Sequence, residues 1–143
     1  MSLADKLQKI AAQRAVKARV GILEDKTYPD GAGVAEVGFW NEYGTIKNGK
    51  QFIPPRPFFR QAIADNRKLL PSMAAKLLQT HDAETVMRLL CEHMADALKM
   101  SVMTWTEPGN ADSTKAAKGY DAPLRGPDRL LRNSFSYEIN PDD

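Results

Sequence analysis

The chain has 143 residues, enough for one domain with its own core, and its 43% hydrophobic and 27% charged residues are those of an ordinary globular protein. Twenty basic residues against 18 acidic ones leave a formal charge of +2, too small an excess to single out nucleic acid as the main partner. No apolar run approaches the roughly 20 residues that span a bilayer, no signal peptide is read, and a single cysteine excludes an internal disulfide and fits a reducing compartment.

Ser2 is placed to cap a first helix, with Leu3, Leu7, Ile10 and Ala11 at helical spacing, Asp5 in the first turn and an end near Arg14. Val16, Ala18, Val20 and Ile22 then alternate with Lys17, Arg19 and Gly21, the period of a strand. Pro29-Asp30-Gly31 makes a turn in an exposed loop. In "GVAEVGFWNEYGT" a short helix is predicted, with Val34, Val37, Trp40 and Asn41 on one face and Gly44 as C-terminal cap. Trp40 is expected in the core. Asn48-Gly49 is a strong hairpin-turn signal, so a small hairpin or an open loop belongs here.

The stretch "FIPPRPFF" sets prolines among large apolar side chains. Proline fixes φ and pushes the residue before it to extended geometry, so residues 53–56 should form a stiff arm. Pro57 suits the first position of the next helix. At least one of Phe58 and Phe59 should staple that helix to the core, and Phe59 is expected to be buried. The loop before them, residues 44–55, reads as an exposed element that docks on a neighbouring subunit and presents Phe52, Ile53 and Arg56.

Downstream, Phe59, Ile63, Leu70, Met73 and Leu77 share a helical stripe that Pro71 should kink or split. Thr80 or Asp82 can cap a long helix to about Met103, with Val86, Leu90, Met94, Ala97, Val102 and Trp105 along one face, widened by Leu89 and Leu98. A long loop rich in Pro, Gly, Asn and Asp follows, and alternation from Ser134 to Ile139 reads as a last strand. The expected fold is one α+β domain spanning 1–143. A small, mostly antiparallel sheet packs on two longer helices, with long exposed loops and a polar tail.

Little in the chain points to chemistry. His81, His93 and Cys91 have no metal-ligand spacing, and no nucleophile or phosphate-loop motif is present. Cys91 and His93 read as packed, satisfied side chains. No cofactor, metal or catalytic residue is expected. Lys9, Arg14, Lys17 and Arg19 form one basic group, and Arg125, Arg129 and Arg132 another. A small nucleic-acid-binding module using these groups is the alternative function.

The block "VAEVGFWNEYGTIKNGKQFIPPRPFFRQAI" resembles the tail-completion, or neck, proteins of long-tailed bacteriophages. Their Asn-Glu-aromatic-Gly-Thr motif is similar to Asn41, Glu42, Tyr43, Gly44 and Thr45. Their Ile-Pro-x-Arg-Pro-Phe motif is similar to Ile53, Pro54, Arg56, Pro57 and Phe58. Thr114, Lys118, Gly119, Pro123, Leu124, Leu130, Leu131, Ser134 and Tyr137 follow in the family's order, while "RGPD" departs from its Asp-Thr-Gly. The resemblance covers about residues 16–139. It implies a non-enzymatic virion protein, assembled in the host cytoplasm, at the head-proximal end of the tail. Tail terminators, connector adaptors and assembly factors all fit it. Its implied partners are copies of itself in a ring, hexameric in the virion and monomeric in isolation, and neighbouring neck, connector and tail-tube proteins. DNA would meet it only in passage through the ring, and no membrane is implied. The candidate interface residues are Phe52, Ile53, Pro54, Pro55, Arg56, Asn41, Glu42, Tyr43, Arg125 and Arg129.

Overall fold

Helix α1 (Leu3–Ala12) starts on its expected cap: the Asp5 N–H donates to Ser2 Oγ at 3.1 Å, and the Ser2 N–H donates back to Asp5 Oδ2 at 3.0 Å. The structure is a computed structural model and describes residues 2–12, 16–124, 126 and 129–140. The expected roles of Arg14 and Arg125 lie outside the described residues. Strand β1 (Ala18–Ile22) pairs antiparallel with β4 (Phe135–Ile139), placing Val20 opposite Tyr137 and Ile22 opposite Phe135. Alternation turns Val20, Ile22 and Phe135 to the core, while Arg19 and Glu138 form an outer ion pair at 2.7 Å.

Helix α2 (Val34–Tyr43) follows, then a hairpin of β2 (Thr45–Lys47) and β3 (Lys50–Ile53). Asn48 and Gly49 both have positive φ, 53° and 73°, as a two-residue turn of the primed type requires. Gly44 joins helix to hairpin at φ 76°, ψ 170°. A Cβ there would lie 2.7 Å from the Ile53 carbonyl oxygen and 2.9 Å from the Pro55 nitrogen. Gly44→Ala is therefore expected to lose more than about 1 kcal/mol of stability, read as a lowered urea midpoint.

The helical stripe after the proline block is split, as Pro71 suggested, into α3 (Phe58–Asn66) and α4 (Leu69–Leu77). The break falls at residues 67–68, and Pro71 sits in the first turn of α4, where a missing N–H leaves nothing unpaired. Pro57 is the cap residue of α3 rather than its first helical residue. Helix α5 (Ala83–Thr104) runs for 22 residues from Asp82, whose Oδ1 accepts from the Thr85 N–H at 2.7 Å. It packs on α3, α4, β1 and β4. With neighbours on several sides it buries a line through Val86, Cys91, Ala95, Leu98 and Val102, and Leu90, Met94 and Ala97 are only half-buried. Val86, Leu98 and Val102 belong to the predicted face, and Cys91 and Ala95 extend the buried line beside it. Burial pushes the Cys91 thiol above its ordinary pKa, as expected for a packed side chain. His93 Nε2 hydrogen-bonds with Asn66 Oδ1 at 2.8 Å.

Helix α6 (Asp112–Lys118) interrupts the predicted late loop, and α7 (Leu130–Asn133) leads into β4. The core collects Val34, Phe58, Ala62, Leu98, Val102, Leu124, Leu131 and Phe135. Two expectations are corrected. Trp40 is 39% exposed, because α2 buries Val34, Gly38 and Glu42 and Trp40 leaves the opposite side. Phe58, at 2% exposure, anchors the core, and Phe59 only packs against its edge. The fold is α+β, with one long helix, the α3–α4 pair and small antiparallel sheets, β1–β4 and β2–β3. Among the described residues, no helix is long and apolar enough to cross a membrane.

Candidate interaction surface

The two motif blocks meet where α2 ends and α3 begins. Glu42 is one turn beyond Gly38 and two beyond Val34, so it shares the buried face of α2 and is only 5% exposed. Its carboxylate accepts from the Phe59 N–H at 2.9 Å, the Arg60 N–H at 3.1 Å and Arg60 Nε at 2.8 Å. Those backbone groups belong to the first turn of α3, which has no capping side chain from Pro57. Glu42 supplies the missing acceptor from another helix, and its charge opposes the positive end of the α3 dipole.

Arg56 is held just as firmly. Its N–H donates to the Asn41 carbonyl at 2.6 Å. Its Nε donates to the Pro108 carbonyl at 2.8 Å, and its Nη2 to the Gly109 carbonyl at 2.9 Å. The guanidinium is tied to the segment after α5, and Arg56 is 6% exposed. Burial pushes its pKa below the ordinary value, with the Asp121 carboxylate acting in the opposite sense. Asp121 also accepts from the Asn110 N–H at 2.9 Å, which holds the same segment.

These contacts correct the sequence reading of Arg56 and Glu42 as outward-facing residues. Both charges serve the chain's own tertiary structure, since a buried charge needs close partners and here has them. Asn41 is half-buried, and its Nδ2 donates to the Val37 carbonyl at 2.9 Å. Ile53 and Pro54 are half-buried and Pro55 is exposed. Arg129 is exposed and opens α7 with a positive φ of 54°. Arg125 lies outside the described residues.

The remaining candidates do face solvent. Tyr43 is 54% exposed and Phe52 is 64% exposed. The sequence reading missed two neighbours, Phe39 at 62% and Ile46 at 78% exposure. Phe39 and Tyr43 are one helical turn apart, with ring centroids at 4.7 Å, and the Arg60 guanidinium lies 4.7 Å over the Tyr43 ring. Lys47 Nζ stands 5.1 Å over the Phe52 ring. A cavity of about 260 Å³ opens beside Phe39 and Tyr43, lined also by Ile22, Gly38, Phe59 and Arg60. The signal for Phe39 was its place one turn before Tyr43, and for Ile46 the strand alternation that sets it outward. This surface offers rings, aliphatic side chains and cations, the chemistry of an interface anchor. Compared with known proteins, the chain matches no family model, no curated protein and no solved structure.

Proposed function

We propose that this chain is a non-enzymatic structural subunit of a tailed-phage or prophage neck. It forms or joins a ring at the head-proximal end of the tail, contacting its own copies and the adjoining connector and tail-tube proteins. The observation that carries the reading is the β2–β3 hairpin. Its large apolar side chains Ile46 and Phe52 are 78% and 64% exposed, and its contacts are chiefly between its own strands. An uncovered apolar hairpin is a liability in a permanently free subunit and an asset in one that is later covered. The buried roles of Glu42, Gly44 and Arg56 support the same reading from another side. They hold the hairpin base and the proline arm in one pose, which lowers the ordering cost of docking.

The nucleic-acid alternative receives less support. Arg19 is paired with Glu138 at 2.7 Å, and Arg132 donates to Asn133 Oδ1 at 3.1 Å. A phosphate binder would also lose affinity steeply as salt rises, and contacts made through Phe and Ile would not.

The test is assembly. Purified protein added to a lysate of separate heads and tails, made without it, should restore infectious particles. Failure of the wild-type chain to do so ends the neck reading. Ile46→Ser with Phe52→Ser should leave stability within about 0.5 kcal/mol per site, because both side chains are exposed. The same pair should lower joining by about tenfold or more, the equivalent of about 1.4 kcal/mol of lost contact.

A further inference from the structure

The β1–β4 sheet has only these strands among the described residues, so β4 has an edge with no strand beside it. A groove of about 470 Å³ lies between β4 and α5. Phe135, Ser136 and Tyr137 all line it, although successive side chains point to opposite faces of a sheet. Phe135 and Tyr137 share the face that meets α5, and Ser136 between them completes the lining. In an antiparallel ladder, alternate residues turn their N–H and C=O away from the partner, so part of the β4 backbone faces the open edge beside this groove. The opposite wall is α5, with Glu92, Asp96 and, among its basic residues, Lys99. The Tyr137 hydroxyl donates to Glu92 Oε1 at 3.1 Å and holds that carboxylate at the groove.

We propose that the β2–β3 hairpin of one copy adds to the open β4 edge of a second copy, with Lys47 and Lys50 facing Glu92 and Asp96. The proposal rests on the neck-subunit reading only in taking another copy of this chain as the partner. The hairpin carries both lysines and no acidic residue, and its Ile46 and Phe52 side chains are uncovered. It is itself a two-stranded sheet, marginal alone and steadied by a further strand. No hairpin residue lines the groove of its own chain.

Charge selects the pairing. Hairpin against hairpin sets lysine on lysine, and groove against groove sets two linings on each other in which Glu92 and Asp96 outnumber Lys99. Hairpin against groove brings opposite signs together, with backbone hydrogen bonds supplying the rest. Such a contact is head-to-tail, so it propagates from copy to copy and closes as a ring where the rotation allows.

The test uses two full-length variants, Lys50→Cys and Asp96→Cys, with Cys91 left in its buried place. Each is exposed to mild oxidant alone, and then the two are mixed. A disulfide-linked dimer that forms in the mixture at least about tenfold more than in either variant alone is the expected result. Equal cross-linking in each variant alone, or none in the mixture at about 1 mM protein, overturns the proposal, since a contact weaker than that is not specific. Charge reversal checks the same point without thiols. The wild-type chain should self-associate in sedimentation at about 1 mM, and Lys47→Glu with Lys50→Glu should abolish this. Mixing with Asp96→Lys should restore it, and a wild-type chain that stays monomeric at that concentration overturns the proposal. No recovery on mixing counts against the groove. Restored head–tail joining without the cross-link would leave the neck reading standing and remove the groove. The cross-link without joining would do the reverse.

Discussion

Replacing Phe58 with alanine is expected to lower stability by about 3–5 kcal/mol, the largest effect of any single truncation in this fold. The ring is 2% exposed and meets Phe135 edge-on at 6.3 Å. The residue also lies where α3 meets α5, its carbonyl accepting from the Ser101 hydroxyl at 2.9 Å. Truncation would open a cavity between a helix pair and a sheet that cannot both move inward. Domains of this kind have about 5–15 kcal/mol in total, so Phe58→Ala should be marginal at body temperature. Phe59→Ala is the internal comparison and should lose distinctly less, because that ring packs at the edge of the core. Urea unfolding of both variants reads the difference. A loss below about 1 kcal/mol for Phe58→Ala would mean that the core is not organised around this residue.

Glu42→Ala is expected to follow, at about 2–3 kcal/mol. It removes the acceptor for the Phe59 and Arg60 N–H groups and leaves the first turn of α3 without a cap. Arg60→Ala separates this capping role from the ion pair. The Arg60 side chain is 55% exposed while that of Glu42 is 6% exposed, so loss of the arginine alone should cost under about 1 kcal/mol. Glu42→Gln should fall between, since it keeps one oxygen and sets an amide against donors. Equal losses for Glu42→Ala and Arg60→Ala would assign the effect to the ion pair instead.

Much of the fold was legible wherever a local rule acts alone. Asn48-Gly49 pointed to a hairpin or an open loop, and positive φ at both positions makes it the hairpin. Thr80 or Asp82 before an apolar helix marked the start of α5, where Asp82 is the cap, and alternation specified β1 and β4. Pro71 announced a break, though α4 absorbed the proline in its first turn. Illegible from sequence were the places where tertiary contacts reverse a residue's usual preference. Glu42 and Arg56 carry charges and read as surface, yet each is buried because its partners come from another helix and from the segment after α5. The spacing of Glu42 from Val34 and Gly38 was the available signal, and the apparent stripe through Trp40 masked it. Helix α6 was also readable, from "DSTKAAK" followed by Gly119, but the composition around it suggested continuous loop. Of the candidate surface, Tyr43 and Phe52 were legible as exposed aromatics. Phe39 and Ile46 required knowing which side of α2 and of the hairpin faces solvent.

The pairing of β1 with β4 joins residues 119 positions apart in the chain, Arg19 to Glu138. On a ribosome adding about 5–20 residues per second, the first strand waits roughly 6–24 s for its partner. During that interval the helices and the hairpin can form locally, but Val20 and Ile22 have no sheet, and Phe58 has no Phe135 to close against. Synthesis therefore passes through a long stage in which an apolar strand edge is bare. A product cut short before Phe135 would keep that edge permanently, together with the apolar hairpin. Such fragments are expected to aggregate or be degraded rather than persist beside the finished chain.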